Sequence, residues 1–112
     1  MKLPDQGKLL RIYVDENDRY EGRPLHEWLV EYARETGMAG ATVLRGMAGY
    51  GRHSRIYSAR VLALSTQLPV VVEIVDRADR IDGYLNAIDT AIEEGLATVE
   101  DVDIRFYRGG EG

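Results

Sequence analysis

The sequence predicts an α+β domain: a ferredoxin-like βαββαβ sandwich with two helices on one face of a four-stranded antiparallel sheet. Three observations carry that reading. Two stretches show helical apolar spacing, and the β-type runs around them give the order β-α-β-loop-β-α-β. The chain has 112 residues, 45% of them hydrophobic, which suits one domain with a real core. Two right-handed βαβ-type units then place both helices on the same face of the sheet.

Leu9-Leu10-Arg11-Ile12-Tyr13-Val14 alternates as a strand does, with Leu10, Ile12 and Val14 on one face. The polar run from Asp15 to Arg23 predicts a loop. Pro24 suits the first turn of a helix, where its missing N–H costs nothing. Leu25, Trp28, Leu29, Tyr32 and Ala33 follow at helical spacing as core residues, with Glu27, Glu31 and Glu35 outside and Gly37 at the C-terminal cap. Ala41–Met47 reads as the second strand, running into a turn or loop base at Ala48–Gly51. Ile56–Leu64 fits either a strand or a short helical stretch. The β-branched run Pro69–Asp76 reads as a central strand. Asp76 or Asp79 is expected to cap the next helix, which has Ile81, Tyr84, Leu85, Ile88, Ala91 and Ile92 as its stripe and Gly95 as its stop. Val99–Tyr107 alternates as the last strand. The expected organisation is an arm over 1–7, the domain over 8–107 and a frayed tail over 108–112.

The distribution of charge says more than its total of −5. All 19 acids lie in residues 1–35 or 73–112, whereas Arg45, Arg52, His53, Arg55 and Arg60 fall in the acid-free stretch between. One reading is that two strands and a turn contain few acids. The other is that an acidic protein carries one basic segment for an anionic ligand or an acidic partner surface. Twelve arginines against two lysines favour planar, bidentate contacts to phosphate or carboxylate. Glycines 46, 49 and 51 would let backbone approach a phosphate, or permit a sharp turn with φ > 0.

Other function classes fare worse. The absence of cysteine excludes disulfides and thiolate metal sites, and a metal site would need more than the two separated histidines His26 and His53, with no acid in the basic segment to help. His26 reads as a surface residue and His53 as a loop residue. Ser54, Ser58 and Ser65 have no triad partner order, so no enzyme is expected. There is neither a basic domain nor a motif for nucleic acid. No stretch approaches the roughly 20 apolar residues of a membrane helix, and the N-terminus lacks a signal-peptide core, so cytoplasmic residence is expected. Glu73 interrupts an apolar strand and is expected to pair with Arg45 at a subunit interface. Leu9, Val71 and Val75 point away from the helices, which predicts an oligomer covering that face.

The element order, together with Gly49-Tyr50-Gly51-Arg52 at the end of the second strand, resembles the PII signal-transduction superfamily. There, a Gly-aromatic-Gly-Arg stretch opens the long T-loop. The chain is more similar still to a PII-like family, domain of unknown function 190. That resemblance rests on Arg11-Ile12-Tyr13, on the Gly-Ala-Thr-Val-Leu-Arg-Gly run from Gly40 to Gly46, and on Leu68–Asp76; it spans residues 8–107. It implies a homotrimer whose sheets form a central barrel, with an adenine nucleotide or another anionic ligand in the clefts between subunits. It also implies a T-loop-like segment acting on a partner protein, such as a membrane transporter or an enzyme. Carried over, Arg45, Gly49, Tyr50, Gly51 and Arg52 form the ligand-binding loop base, and Arg105 matches an arginine that meets phosphates. His53, Arg55, Tyr57 and Arg60 then fall in the partner-binding loop. One departure is plain. The Gly-Asp-Gly-Lys phosphate turn of PII proteins is replaced by Glu94–Asp101, with one glycine, no lysine and three acids. The alternatives are a ligand-independent interaction module, or an enzyme acting on a nucleotide or other anion.

Overall fold

The computed structural model describes residues 3–51 and 68–109, together with the two-residue strand Tyr57–Ser58. The first strand, β1 (Gln6–Asp15), buries Leu10, Ile12 and Val14 and leaves Leu9, Arg11 and Tyr13 on the opposite face. The polar run after it is not wholly loop. Arg19–Tyr20 (β2) pairs with Arg23–Pro24 (β3) across Glu21 and Gly22, both at positive φ (52° and 78°), as a tight two-residue hairpin requires. Pro24 therefore sits one residue outside the helix, in extended conformation (ψ 129°), and helix α1 spans Leu25–Glu35. Gly37 ends it at φ 77°: its N–H bonds the Arg34 carbonyl (3.1 Å) and the Met38 N–H bonds the Ala33 carbonyl (2.9 Å), a Schellman cap.

Strand β4 (Thr42–Arg45) is followed by β5 (Ala48–Gly49), which pairs with β6 (Tyr57–Ser58). Of the sequence segment 56–64, only β6 lies within the described residues, and as strand. β7 (Pro69–Asp76) matches its predicted span and buries Val70, Val72, Ile74 and Asp76 in strict alternation. Helix α2 (Ala78–Ile88) and a 3-10 turn at Asp89–Ala91 lead to β8 (Leu96–Asp103). The sheet order is β4-β7-β1-β8, antiparallel at every junction. This is the ferredoxin-like sandwich.

β8 starts and ends earlier than the alternation suggests. Its partner sets the limits: Leu96 lies opposite Tyr13 and Asp103 opposite Gln6. Past that point the Ile104 N–H bonds the Asp5 carbonyl (2.7 Å), and Pro4 has no N–H to extend the ladder. The Leu-Ala-Thr-Val opening of β8 alternates too weakly in polarity to announce itself. Gly95 does not stop the helix, which has already ended. It lies against β1, where a Cβ would come 2.9 Å from the Tyr13 carbonyl oxygen.

The helices bury Leu25, Leu29, Ala33, Ile81, Tyr84, Ile88 and Ala91 against the inner face of the sheet. Tyr20, Trp28, Tyr32 and Tyr84 form a continuous run of ring contacts at 4.7, 5.1 and 6.0 Å, and the Tyr84 hydroxyl donates to the Leu29 carbonyl (2.8 Å). Burial pushes the Tyr84 phenol well above its ordinary range.

The predicted aspartate cap of α2 is absent, because both candidates are engaged elsewhere. Arg77 binds Asp79 through two nitrogens (2.7 and 3.0 Å) and holds that carboxyl below the ordinary range. Asp76 is fully buried. Its Oδ1 accepts the Arg77 N–H (2.7 Å), and its Oδ2 accepts the Ala39 N–H (2.9 Å) and Arg80 Nε (3.3 Å). Arg80 also donates to the carbonyls of Thr36 and Gly37. One carboxylate thus ties β7, the loop before β4 and the start of α2.

At the other end of β7, the chain leaves β4 over Pro69. The Gly46 N–H bonds the Pro69 carbonyl (2.7 Å). A Cβ on Gly46 would come 2.7 Å from Pro69 Cγ and one on Gly49 3.2 Å, whereas one on Gly51 would meet nothing within 4 Å. None of these three glycines has positive φ; close packing, not turn geometry, selects the first two.

Two outcomes follow for urea denaturation. Asp76→Ala is expected to cost about 3 kcal/mol, because it strands Arg80 and the Ala39 N–H. Gly46→Ala is expected to cost about 1–3 kcal/mol through overpacking on a rigid ring, while Gly51→Ala stays within about 0.5 kcal/mol of wild type.

Candidate functional site

The end of the sheet where β4 leaves carries the loop base. Arg45, the last residue of β4, directs its guanidinium to Glu16 in the turn after β1: Nη2 lies 3.0 Å and Nε 3.1 Å from Glu16 Oε2. The expected partner was Glu73. Within one subunit the register forbids it, because Glu73 lies opposite Thr42 and Arg45 opposite Val70, on the other face of the pleat. Glu73 binds Arg11 instead (2.9 Å). Glu16 gave no signal in the sequence: it is one acid in a polar run, and only the β1–β7 pairing brings it to the end of β4. Its backbone is fixed there by the Glu16 N–H bond to the Leu68 carbonyl (2.9 Å).

Beyond Arg45, the segment is exposed, with Met47 83% and Tyr50 68% accessible. Gly49 pairs with Tyr57 through the β5–β6 ladder. Arg52, His53, Arg55 and Arg60 lie outside the described residues, as does the side chain of Tyr57. Arg105 does not join the loop base. Arg45 aligns through Val70 with Val14, while Asp103 aligns with Gln6, eight residues away along β1. At about 3.3 Å per residue that is roughly 26 Å, the full height of the sheet. Arg105, just past the end of β8, is exposed at the opposite end.

The stretch Glu94–Asp101 does not form a phosphate nest. From Leu96 to Asp101 it is edge strand, paired with Tyr13 to Lys8 of β1, and an extended backbone points successive N–H groups to opposite sides rather than converging them on one anion. The charge beside it is negative. Burial holds the Asp18 carboxyl above the ordinary carboxylate range, and the charges of Asp15 and Glu94 add to that effect. No cluster of His, Asp or Glu among the described residues is arranged to hold a metal ion. His26 is half-buried rather than a free surface residue, with its Nδ1 shielded from solvent.

The open face of the sheet is apolar at its margins and charged at its centre. Leu9, Val71 and Val75 are half-buried there, and Tyr13, Leu44 and Leu96 are exposed. Arg11 bridges Glu73 (2.9 Å) and Glu100 (2.5 Å) across three strands. The segment after β8 crosses one end of this face, where Ile104, Phe106 and Tyr107 line a shallow groove with Leu9, Val75 and residues 39–42. The Tyr107 hydroxyl donates to the Ala39 carbonyl (2.5 Å), and Arg108 lies over the Phe106 ring at 4.2 Å. Among the described residues, no helix is long and apolar enough to cross a membrane.

Comparison with known proteins agrees with this architecture. A UPF0166 protein of Aquifex aeolicus is 43% identical over 99 residues, covering 88% of this chain and 93% of that protein. A UPF0166 protein of Methanocaldococcus jannaschii is 31% identical over 105 residues, covering 93% and 94%. Among solved structures, CPII, a nitrogen regulatory PII-like protein from Thiomonas intermedia bound to ADP, AMP and bicarbonate, superposes with a TM-score of 0.68 at 16% identity, covering 88% of each chain. A candidate PII-like signalling protein from Thermus thermophilus gives 0.63 at 20% identity, covering 88% of this chain and 89% of that one. At these identities, the structural matches establish the fold alone. The family model of domain of unknown function 190, described as an uncharacterised ACR, matches residues 7–104, and the chain belongs to that family, with a PII-like fold.

Proposed function

We propose that the chain is a PII-like regulatory protein that senses an anionic small molecule at a cleft between the subunits of a homotrimer. The observation that carries this reading is the loop base. An acid-free, arginine-bearing segment leaves the sheet on a backbone fixed over Pro69, with open space around Gly51. A fixed base with flanking arginines suits an oxyanion, whose binding then alters affinity for a partner protein through residues 49–60.

CPII, with ADP, AMP and bicarbonate, supports an adenine nucleotide or another small anion as the ligand. Because residues 96–101 are strand, a third phosphate has no nest to enter, and a mono- or diphosphate fits this site better than a triphosphate. Arg105 can reach a ligand at the loop base only from a neighbouring copy, so its part in the site depends on the proposed cleft. The apolar margins of the open face supply the surface for such an assembly. The reading is of a regulatory rather than a catalytic role, since the serines of the sequence have no triad partner order.

Isothermal titration with AMP, ADP and ATP tests the ligand. Arg52→Ala is expected to weaken AMP and ADP at least about tenfold, the scale of one charge-assisted hydrogen bond, and ATP should bind no more tightly than ADP. Silence towards every nucleotide and simple anion, with capture of an acidic partner that depends on Arg52 and Arg55, would point instead to a ligand-independent interaction module. Light scattering tests the assembly: three subunits for wild type, and a smaller, still folded species for Leu44→Asp, whose side chain is half exposed on the open face. A monomeric wild type removes the cleft.

A further inference from the structure

We infer that Glu16 is an internal occupant of the anion site, so that an oxyanion reaches Arg45 only by displacing the Glu16 carboxylate. The inference rests on the loop base being the ligand site and adds the residue that competes for it.

Four observations carry it. First, the pair is redundant for holding the chain in place. Glu16 and Gly46 are anchored by their own N–H groups to the consecutive carbonyls of Leu68 and Pro69, at 2.9 and 2.7 Å. Removing the side-chain contact leaves both backbones where they are. Second, the acid comes from outside. Residues 36–72 contain no carboxylate, yet the first arginine of that stretch is met by one delivered from the turn after β1. Third, the contact is an incomplete version of what an oxyanion offers. Nε and Nη2 of Arg45 both fall on the single oxygen Oε2 of Glu16. A phosphate or carboxylate placing two oxygens on that edge makes the two parallel bonds the guanidinium is shaped for. Fourth, the accessible surface is uneven. The Glu16 side chain is 21% exposed and that of Arg45 54%, so the guanidinium keeps a face to solvent where a ligand can begin the exchange.

The neighbourhood of Glu16 sets the bias of the exchange. Asp15 and Asp18 share its turn, with Glu94 acting on Asp18 from the turn before β8. A displaced Glu16 carboxylate turns back towards these like charges, which favours the closed pair until an anion is present. The same acids repel highly charged ligands, which favours small anions of low charge over polyphosphates.

The test titrates AMP and inorganic phosphate into wild type, Glu16→Gln and the double variant Glu16→Gln/Arg45→Ala, with thermal unfolding as a control for folding. Glutamine keeps the size and an acceptor oxygen but not the charge. Glu16→Gln is expected to tighten AMP and phosphate about threefold to fivefold, the scale of a solvent-exposed ion pair, and the double variant to lose that gain. The Arg45 Nε–Hε resonance reports the exchange directly: in wild type, AMP should move it away from its ligand-free position. Unchanged or weaker binding by Glu16→Gln, with wild type binding normally, overturns the inference and leaves the site intact. Absence of binding to wild type and Glu16→Gln alike overturns the ligand site itself, and the inference with it.

Discussion

The buried carboxylate of Asp76 and the ring of Pro69 stand at opposite ends of one interior strand, and much of the molecule is positioned by what those two residues hold. An unpaired buried carboxylate is too costly to persist, so Asp76 must collect donors, and the donors it collects belong to three segments. The Ala39 N–H fixes the approach to β4, the Arg77 N–H fixes the exit from β7, and Arg80 fixes the first turn of α2. Through Arg80 the same cluster reaches the carbonyls that close α1. Strand β4 therefore begins at a defined point. Pro69 defines where it ends, since only glycine at 46 lets the chain pass over the ring. A four-residue edge strand fixed at both ends delivers Arg45 to one place.

That place has an electrostatic character made by two separate parts of the sequence. The stretch leaving β4 has no acid, and the turn after β1 is crowded with them. Neither property decides function alone, since a basic loop is usually a solvated loop and an acidic turn usually a solvated turn. Antiparallel pairing of β1 with β7 and of β7 with β4 puts them side by side. The Arg45–Glu16 pair is the point where the two fields meet, and the proposed exchange needs a pair of this partly exposed kind: a buried pair would seal the site against a competing anion.

The fold was legible because its signals are local and repeated. Alternation in β1 and β7, the two apolar stripes and Gly37 each reported on a backbone conformation fixed within a few residues. What escaped depended on pairings distant in sequence. Glu73 as a partner for Arg45 was reasonable from charge alone, yet within one chain an offset of three residues puts them on opposite faces. The limits of β8 belonged to its partner strand rather than to its own alternation. An aspartate cap for α2 was plausible by residue type, but both aspartates had stronger obligations. The glycines of the loop base do not make the positive-φ turn that their type suggests: Gly46 and Gly49 are small for Pro69, a residue about twenty positions away. Pro69 itself was read only as the start of a strand.

The open face poses the remaining structural question, and its charge count narrows the answer. Arg11 serves both Glu73 and Glu100, so the cluster at the centre of the face carries one negative charge in excess. Its three members stay partly exposed, at 36%, 29% and 55% of their side-chain surfaces. Water therefore still meets much of the cost of that charge. A second copy laid flat over the centre would remove the water and leave an uncompensated carboxylate, a worse arrangement than no contact. The apolar residues lie instead at the two ends of the face: Leu44, Val71, Tyr13 and Leu96 form one row across all four strands at the loop-base end, and Leu9 and Val75 lie beyond the charged cluster. Copies that meet through these ends and leave the centre wet satisfy both demands. In the homotrimer proposed above, a closed ring of sheets around a solvent-filled middle would do so for every copy at once.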